Sequence, residues 1–340
     1  MITKAPVIGG IHHSTAVAST AQSNLDFYVG VLGMRLVKMT VNFDDPSAYH
    51  LYYGDGVGTP GSVLTFFSCP GGGPGQIGRG AVSEIGFEVP IGAVGFWRGR
   101  LEKAGFPPVG ESTVGQERNL HFADPDGLLL KLVETESPRP YAPVPGTDVP
   151  ADFEIRGIAS VSATVRSRSA DETGTAAVLR DLLGFSATEL GDGQARYRST
   201  AGFGLGFGSF DLVAREDAPS ARSGYGSVHH VAFRTPDDES QSEILDRVRK
   251  AGFSVSGIFD RTYFRSVYFR EPGGVLIEIA TDQPGFDVDE PVEELGTRLM
   301  LPIWLESQRK LIERALPPLV APLRFGDRLR PGDAARSDRA

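Results

Sequence analysis

Four glycines mark the ends of four matching stretches of this sequence, and their spacing constrains the fold more than any other feature. They are Gly33, Gly105, Gly184 and Gly252, which lie 72, 79 and 68 residues apart. Each follows an amphipathic stretch, as a glycine at the left-handed C′ position of a helix does. A near-constant period predicts a repeated supersecondary unit. We therefore expect four copies of one module, in which a strand and a helix precede further strands.

Further signals recur inside this period. Apolar residues form one stripe over Asp26–Leu32, which predicts a helix in the first copy, and a similar stripe over Ile244–Val248 follows acidic residues in the fourth. Copies two and four end in a Pro-x-Gly turn between apolar runs, at 125–127 and 272–274, which predicts hairpins. The repeat stops near residue 286, and Leu299–Ala315 is predicted to form a separate helix.

Loop-forming residues divide the chain. A Pro/Gly-rich segment at 70–75 joins copies one and two, and a Pro-rich segment at 137–150 joins the two halves. We expect an N-terminal pair of modules in residues 1–136, a linker in 137–150 and a C-terminal pair in 151–285. Residues 286–340 are expected to hold the separate helix and a polar tail, frayed from residue 328 onward.

Composition excludes several classes of protein. The net charge of −9 and the lack of any Lys/Arg run argue against a nucleic-acid partner. No apolar run approaches the roughly 18 residues of a membrane span, and the first residues lack the pattern of a signal peptide. The single cysteine, Cys69, excludes an intrachain disulfide framework and reads as inert. These features predict a cytoplasmic protein without a membrane partner.

Four of the six histidines form two adjacent pairs, His12–His13 and His229–His230, and each pair opens a short apolar stretch. Glu278 is a lone carboxylate in an aliphatic stretch downstream of the second pair. Two histidines from distant strands and one carboxylate are the ligands of a facial-triad metal site with open positions. Neighbours in a strand point to opposite faces, so at most one histidine of each pair should face the metal.

The repeats and motifs of this chain resemble those of the vicinal oxygen chelate superfamily, and most closely those of its hydroquinone-type ring-cleaving dioxygenases. The closer resemblance is carried by segments 10–15 (GIHHST), 41–46 (VNFDDP), 49–55 (YHLYYGD) and 301–306 (LPIWLE), and it covers nearly the whole chain. It implies an α+β fold in which four βαβββ modules form paired half-barrels around a metal. It also implies that the protein can form homo-oligomers.

The resemblance implies that His13, His230 and Glu278 hold the metal. Aligning the copies places Glu84 and Ser160 at the histidine position of copies two and three, and Thr65 and Lys131 at the Glu278 position of copies one and two. Only copies one and four therefore offer metal-type residues. We expect these two copies to pack together around the site, with copies two and three as the complementary pair.

The resemblance also suggests residues around the metal. His12 and His229 flank the ligands and can take a phenol proton or hydrogen-bond a bound oxygen. Tyr268 can donate to oxygen, and Arg261 can orient the ring or stabilise negative charge. Thr15 follows His13 by two residues and so shares its strand face. The alternatives are sheet-stabilising hydrogen bonds for the two histidines and a surface salt bridge for Arg261.

Other polar residues are expected to be structural. His50 and His121 are assigned structural roles, and Asp44–Pro46 is read as a turn rather than a catalytic carboxylate pair.

The resemblance implies an Fe(II)-dependent dioxygenase, with Mn(II) as the other metal, whose partners are a small aromatic diol and O2. It would open hydroquinone-type rings between a hydroxylated carbon and its neighbour. Three alternatives stay open at this point: a catechol extradiol dioxygenase, a glyoxalase-like isomerase that uses its metal as a Lewis acid, and a protein that sequesters quinones.

Overall fold

The computed structural model describes residues 8–136, 139–166, 174–201 and 206–322. Within them the chain runs through the order strand, helix and three strands four times, which confirms the βαβββ modules. Module one comprises β1 (Ile11–Ala18), α1 (Ala21–Leu25), β2 (Arg35–Asn42), β3 (Asp45–Gly54) and β4 (Val63–Ser68). Module two comprises β5 (Val82–Val89), α2 (Val94–Lys103), β6 (Gly110–Val114), β7 (Glu117–Ala123) and β8 (Leu129–Glu134). Module three comprises β9 (Gly157–Val165), α3 (Thr175–Ala177), β10 (Ser186–Gly191), β11 (Gln194–Arg198) and β12 (Ser209–Ala214). Module four comprises β13 (Ser227–Thr235), α4 (Asp238–Lys250), β14 (Phe259–Asp260), β15 (Phe264–Arg270) and β16 (Leu276–Pro284).

The modules pair as one with four and two with three, as the ligand pattern predicted. One eight-stranded sheet has the order β14-β15-β16-β13-β1-β4-β3-β2, and the other has the order β10-β11-β12-β9-β5-β8-β7-β6. In each sheet the first strands of two modules run antiparallel at the centre, β1 with β13 and β5 with β9. Each sheet is a half-barrel that takes one module from either side of residues 137–150.

The helices follow the predicted start and stop signals closely. All four C′ glycines have positive φ, with values of 69°, 85°, 76° and 87° in chain order, where a side chain would be strained. Helix α4 begins after Asp237, whose carboxylate accepts a hydrogen bond from the Ser240 amide. The first helix begins earlier than predicted, at Ala21, because Thr20 caps it, and it continues through Asp26–Val31 as a π-helix.

The helices lie against the sheets, and their apolar stripes share one large core with the sheet faces turned toward them. Trp97 of α2 and Ile244 and Val248 of α4 are buried in this core together with Phe122 of β7 and Phe233 of β13. The concave face of the half-barrel formed by modules one and four carries polar side chains instead. This difference between the two faces leaves a place for a polar site.

The segment after module four differs from the prediction of one helix over Leu299–Ala315. Leu299 forms an isolated bridge with Met39 of β2, and the Met300 amide donates to the Met39 carbonyl, so this stretch is extended. Helix α5 is confined to Arg309–Ala315 and follows a 3-10 turn at Glu306–Gln308. Other three-residue 3-10 turns lie at Phe286–Val288 and Val292–Glu294. The predicted polar tail, residues 328–340, lies outside the described residues.

The described part of the linker, residues 139–150, contacts both halves of the chain through Arg139. Arg139 is buried and donates hydrogen bonds to the carbonyls of Gly61 and Ile158. No helix in the described part of the chain is both long enough and apolar enough to span a membrane.

Candidate metal centre

Three strands of one half-barrel bring His13, His230 and Glu278 together. Strand β13 lies between β1, with which it runs antiparallel, and β16, with which it runs parallel. Glu278 on β16 is level with Ala232 on β13, and Ala232 is level with His13 on β1. His230 lies two residues before Ala232 and therefore shares its face of the sheet. The pairing of modules one and four thus assembles the predicted ligand set from residues far apart in sequence.

The ligand-type atoms of these residues converge on one point. Glu278 Oε2 lies 2.8 Å from His230 Nε2 and 3.3 Å from His13 Nε2, and one ligand atom from each residue lies within 4.8 Å of the others. His230 Nε2 and Glu278 Oε2 are buried and have no hydrogen bond of acceptable geometry within the described residues. Buried polar atoms left unpaired are costly. This arrangement fits a divalent cation held by two imidazoles and one carboxylate.

Electrostatics keep the carboxylate of Glu278 ionised. Burial alone would raise the pKa of Glu278, but attraction to His13 and the close polar contacts of the carboxylate with both imidazoles hold this pKa well below its ordinary value. Burial also lowers the pKa of His230, against the opposing effect of Glu278, and so favours its neutral ring. A neutral imidazole and an ionised carboxylate are the protonation states that metal binding requires.

Each ligand histidine is in contact with the histidine before it. The Nδ1 atoms of His12 and His13 lie 2.8 Å apart, and those of His229 and His230 lie 2.7 Å apart. An Nε2 atom that binds a cation carries no hydrogen, so the hydrogen of a neutral ligand ring is on Nδ1. The preceding histidine must then accept at its own Nδ1 and carry its hydrogen on Nε2. Hydrogen bonds of this kind fix the tautomer and the ring orientation of a ligand histidine.

The two preceding histidines have different surroundings. His12 is buried, does not line the cavity, and has the backbone of Thr281 as a hydrogen-bond partner. His229 lines the cavity and is open to it. Partial loss of water around its ring, followed by repulsion from His230, lowers its pKa to about 4. His12 is therefore positioned to orient a ligand, whereas His229 presents a neutral ring to whatever occupies the cavity.

Ser266 supports the carboxylate from the neighbouring strand, and the sequence analysis did not identify it. Its hydroxyl donates to Glu278 Oε1 over 2.5 Å, which leaves Oε2 facing the two histidines. Ser266 precedes Tyr268 by two residues on β15, so both face the same side of the sheet. This spacing was the available signal, but a lone serine in a strand is too common to stand out.

A cavity of about 860 Å³ is lined by His13 and His230, two of the three candidate ligands. Thr15, His229, Arg261 and Tyr268 of the predicted site all line it. Aromatic side chains from both modules contribute to its walls, namely Phe43, Phe67 and Phe264. The cavity is therefore mainly apolar, with convergent polar groups, as sites for small organic ligands are.

Arg261 and Tyr268 form one unit at the side of the cavity. The guanidinium carbon of Arg261 lies 5.6 Å from the centre of the Tyr268 ring and 5.0 Å from that of Phe259. Burial raises the pKa of Tyr268, which keeps its phenol protonated and able to donate. Arg261 also approaches the exposed Asp44 at 3.5 Å, so the predicted surface ion pair exists beside the cavity position. Asp44 lies in a turn, as predicted, and β3 begins at Asp45.

His50 and Tyr52 also line this cavity, although His50 was assigned a structural role. His50 Nε2 lies 2.8 Å from Thr65 Oγ1, and Thr65 Oγ1 lies 2.8 Å from Thr15 Oγ1. The Tyr52 hydroxyl lies 2.9 Å from His50 Nδ1. Both residues belong to segment 49–55, but the sequence alone gave no means of telling which of its side chains face the cavity.

The other half-barrel has ion pairs at the equivalent positions. Glu84, in the histidine position, accepts from His121 at 2.7 Å and from Lys131 at 3.1 Å. Asp211 of module three is paired with Arg196 through two contacts of 2.8 Å. The lysine ammonium and the arginine guanidinium thus neutralise carboxylates where the first half-barrel offers ligands.

Known proteins are similar to this chain over most of its length. The sequence pattern of the Glyoxalase/Bleomycin resistance protein/Dioxygenase superfamily matches residues 10–132 and 171–279. MhqA of Bacillus subtilis, provisionally named a ring-cleaving dioxygenase, is 41% identical over 92% of this chain and 99% of its own length. A chlorohydroquinone/hydroquinone 1,2-dioxygenase of Sphingobium indicum is 30% identical over 91% of this chain and 96% of its own.

Solved structures support the same relationship. A crystal structure from Bacillus subtilis, provisionally described as a dioxygenase, has a TM-score of 0.86 at 40% identity and covers 94% of this chain and 100% of its own. Glyoxalase I from Zea mays has a TM-score of 0.57 at 13% identity, covering 80% of this chain and 92% of its own. The second similarity concerns the fold alone.

Proposed function

The chain belongs to the Glyoxalase/Bleomycin resistance protein/Dioxygenase superfamily, and on this premise we propose that it is an Fe(II)-dependent ring-cleaving dioxygenase of hydroquinone-type substrates. The ring is opened between a hydroxylated carbon and its neighbour. The observation that carries the proposal is the convergence of His13 Nε2, His230 Nε2 and Glu278 Oε2 beside a cavity that the two histidines line. Relatives whose names refer to ring-cleaving dioxygenases support it independently.

Two histidines and one carboxylate are the ligand set of non-haem Fe(II) oxygenases, with Mn(II) as the other occupant of this site. Held by His13, His230 and Glu278, Fe(II) would bind a phenolate and dioxygen and would allow electrons of the ring to reach oxygen. The rest of the mechanism concerns what the side chains of this protein do. They bind the ring, orient it, and donate hydrogen bonds to its oxygens.

His229 is a hydrogen-bond donor in this scheme rather than a base. Its Nδ1 accepts from His230 when His230 Nε2 is a ligand, so its hydrogen lies on Nε2. Because its pKa is about 4, the ring stays neutral near pH 7. His229 therefore offers one N–H to an oxygen of the substrate or of dioxygen. His12, which is buried, orients His13 in the corresponding way.

Arg261 and Tyr268 stabilise negative charge on the oxygens of the substrate. As the ring loses a phenolic proton and is oxidised, charge develops on its oxygens, and preorganised donors stabilise such charge most where water is excluded. The guanidinium is fixed by the rings of Phe259 and Tyr268. The Tyr268 phenol remains protonated and can donate to an oxygen near Glu278, with which its backbone is in register.

The substrate class follows from the relatives and from the cavity together. The Sphingobium indicum relative is named for chlorohydroquinone and hydroquinone, and this chain matches almost its full length. The apolar lining, which includes Phe67 and Phe264, suits an aromatic ring. A para-diol can reach the metal through only one oxygen, so its orientation depends on the side chains around the ring.

Oxygen uptake tests this function. Protein reconstituted anaerobically with Fe(II) is mixed with oxygenated buffer that contains hydroquinone or catechol, beside Glu278→Gln and the exposed-helix control Glu313→Gln. Uptake with hydroquinone that is lost only in Glu278→Gln would support the proposal. Uptake with catechol alone would replace the substrate by an ortho-diol, and the absence of uptake with either diol would reject the proposal.

A further inference from the structure

A row of polar side chains crosses the half-barrel on the module-one side of the ligands. Thr15 of β1 is level with His230 of β13 on one side and with Thr65 of β4 on the other. Thr65 is in turn level with Tyr52 of β3, and His50 lies two residues before Tyr52 on the same strand face. The row therefore begins beside a ligand histidine and leads away from the metal.

The side chains of this row form one hydrogen-bonded chain in the order Thr15, Thr65, His50, Tyr52. Its three links are 2.8, 2.8 and 2.9 Å long. None of the four side chains has another hydrogen-bond partner in the described part of the protein. Thr15, His50 and Tyr52 all line the cavity.

The number of polar hydrogens shows what this hydrogen-bonded row offers to a bound substrate. Two threonine hydroxyls, one tyrosine hydroxyl and one neutral imidazole carry four polar hydrogens. The three internal links use three of them. Burial, followed by repulsion from His13 and His230, lowers the pKa of His50 well below its ordinary value, which keeps the ring neutral. One hydrogen remains for an acceptor in the cavity, at the Thr15 end or at the Tyr52 end according to the tautomer of His50.

The position of the row relative to the metal ligands distinguishes between diols. The candidate ligands lie on β1, β13 and β16, whereas the row extends over β1, β4 and β3. Tyr52 therefore lies two strands, or about 10 Å, away from β1. The two oxygens of an ortho-diol are adjacent and can both reach the metal. Those of a para-diol lie at opposite ends of the ring, and the second one points away from the ligands.

We propose that this chain of four residues binds the hydroxyl that a para-diol does not present to the metal, with His50 as the positioning residue that links its two ends. The inference rests on the proposed function for its substrate class and extends it to a specificity determinant. Thr65 does not itself line the cavity but contacts Thr15 and His50, which do, so its hydroxyl is the link whose removal interrupts the row with the least change in the shape of the cavity.

Anaerobic calorimetry with hydroquinone and phenol tests the proposal without turnover. Wild-type protein loaded with Fe(II) should bind hydroquinone roughly 3- to 10-fold more tightly than phenol, the difference that one hydrogen bond makes. Thr65→Val should bring this ratio close to one, and Thr65→Ser, which keeps the hydroxyl, should preserve it. Thr40→Val is the matched control. Thr40 is as buried as Thr65 and lies on β2, the strand beside β3. It does not line the cavity, and its hydroxyl has no hydrogen-bond partner among the described residues.

Two results would overturn the inference: no preference for hydroquinone in the wild type, or an unchanged preference in Thr65→Val. The outcome is separable from that of the proposed function. A hydroxyl-dependent preference without oxygen uptake would support the binding row and reject the dioxygenase. Oxygen uptake together with a hydroquinone preference that is unchanged in Thr65→Val would support the dioxygenase and reject the binding row.

Discussion

The Nδ1 atoms of His229 and His230 lie 2.7 Å apart although the two residues are neighbours in one strand. Strict alternation would turn their rings to opposite faces. His229 is instead the extra residue of a β-bulge, because Thr15 is level with His230 and Ala16 with Val228. His12 is skipped in the same way between Ile11 and His13. One dipeptide in each of modules one and four therefore supplies both a proposed ligand and the group placed to orient it.

The bulge occurs in both half-barrels and is therefore a feature of the fold rather than of the candidate site. In the other half-barrel the register skips Ser83 and Ala159 at the equivalent points of β5 and β9. These positions hold a serine, whose hydroxyl donates to the Ser162 carbonyl, and an alanine, so neither offers an imidazole. The repeated bulge indicates that the backbone of all four modules was suited to such a pair, while only modules one and four carry histidines there.

Removing the Ser266 hydroxyl should weaken metal binding. Ser266→Ala leaves all three ligands in place but removes the hydrogen bond that orients Glu278. Partners of this kind typically contribute 10- to 100-fold to metal affinity, and we expect a loss of roughly that size in competition with a chromophoric chelator. Ser209→Ala is the control, because Ser209 donates to Asp211 in the half-barrel without ligands. Equal affinities for the two variants would contradict the assignment.

Arg261 should matter for turnover more than for folding. Arg261→Gln removes a charge held against Tyr268 at the cavity, and we expect kcat/KM for hydroquinone to fall by roughly 100-fold. Arg265→Gln is the matched control, since Arg265 is exposed and pairs with Asp238 at the start of α4. Steady-state kinetics on both variants decide the matter. A loss no greater than that of Arg265→Gln would assign Arg261 to the surface ion pair with Asp44.

The second half-barrel should depend on Lys131 for stability. Lys131→Met leaves Glu84 with His121 as its remaining partner, and the free energy of unfolding should fall by about 2–3 kcal/mol. Adding Glu84→Gln removes the carboxylate that has lost its lysine partner. Most of the lost free energy of unfolding should then be recovered in urea denaturation. Metal affinity should be unchanged in both variants. A double variant no more stable than Lys131→Met would show that the two groups are not coupled.

Asp124 should give the protein a distinctive loss of stability with rising pH. Burial raises its pKa from 3.8 to about 6, so the folded state favours the protonated form. That stabilisation is complete below about pH 4 and is lost as the pH rises through 6, a change of roughly 2–3 kcal/mol. In Asp124→Asn, which keeps an acceptor for the Asp126 and Leu128 amides, the free energy of unfolding should lose this slope. The exposed control Asp246→Asn should keep it, and an unchanged slope in Asp124→Asn would refute the assignment.

The module pairing could be predicted because it depends on the repeat. Once the copies are aligned, Glu84 and Ser160 eliminate modules two and three, and only one pairing brings His13 to Glu278. The four C′ glycines carry their own conformational signal, and all four have positive φ. Local patterns and internal symmetry were therefore sufficient for the module pairing and for the order of the elements, whereas the candidate ligands rest mainly on the family resemblance.

Features that arise from strand register could not be predicted. The row from Thr15 to Tyr52 depends on how β1, β4 and β3 are aligned, and a shift of one residue would turn His50 away from the cavity. The bulges, which place His229 beside His230, are equally invisible in an apolar stretch. The segment from Leu299 had helical periodicity, but pairing with Met39 of β2 outweighed it.

Isotope labelling of the product tests the central claim most directly. Fe(II)-loaded protein is supplied with hydroquinone under ¹⁸O2, and the ring-opened product is analysed by mass spectrometry at early times. We predict that both oxygen atoms of one O2 molecule are incorporated, and that Glu278→Gln yields no ring-opened product. An unlabelled product, or an intact ring after prolonged incubation with metal-loaded protein, would contradict the account.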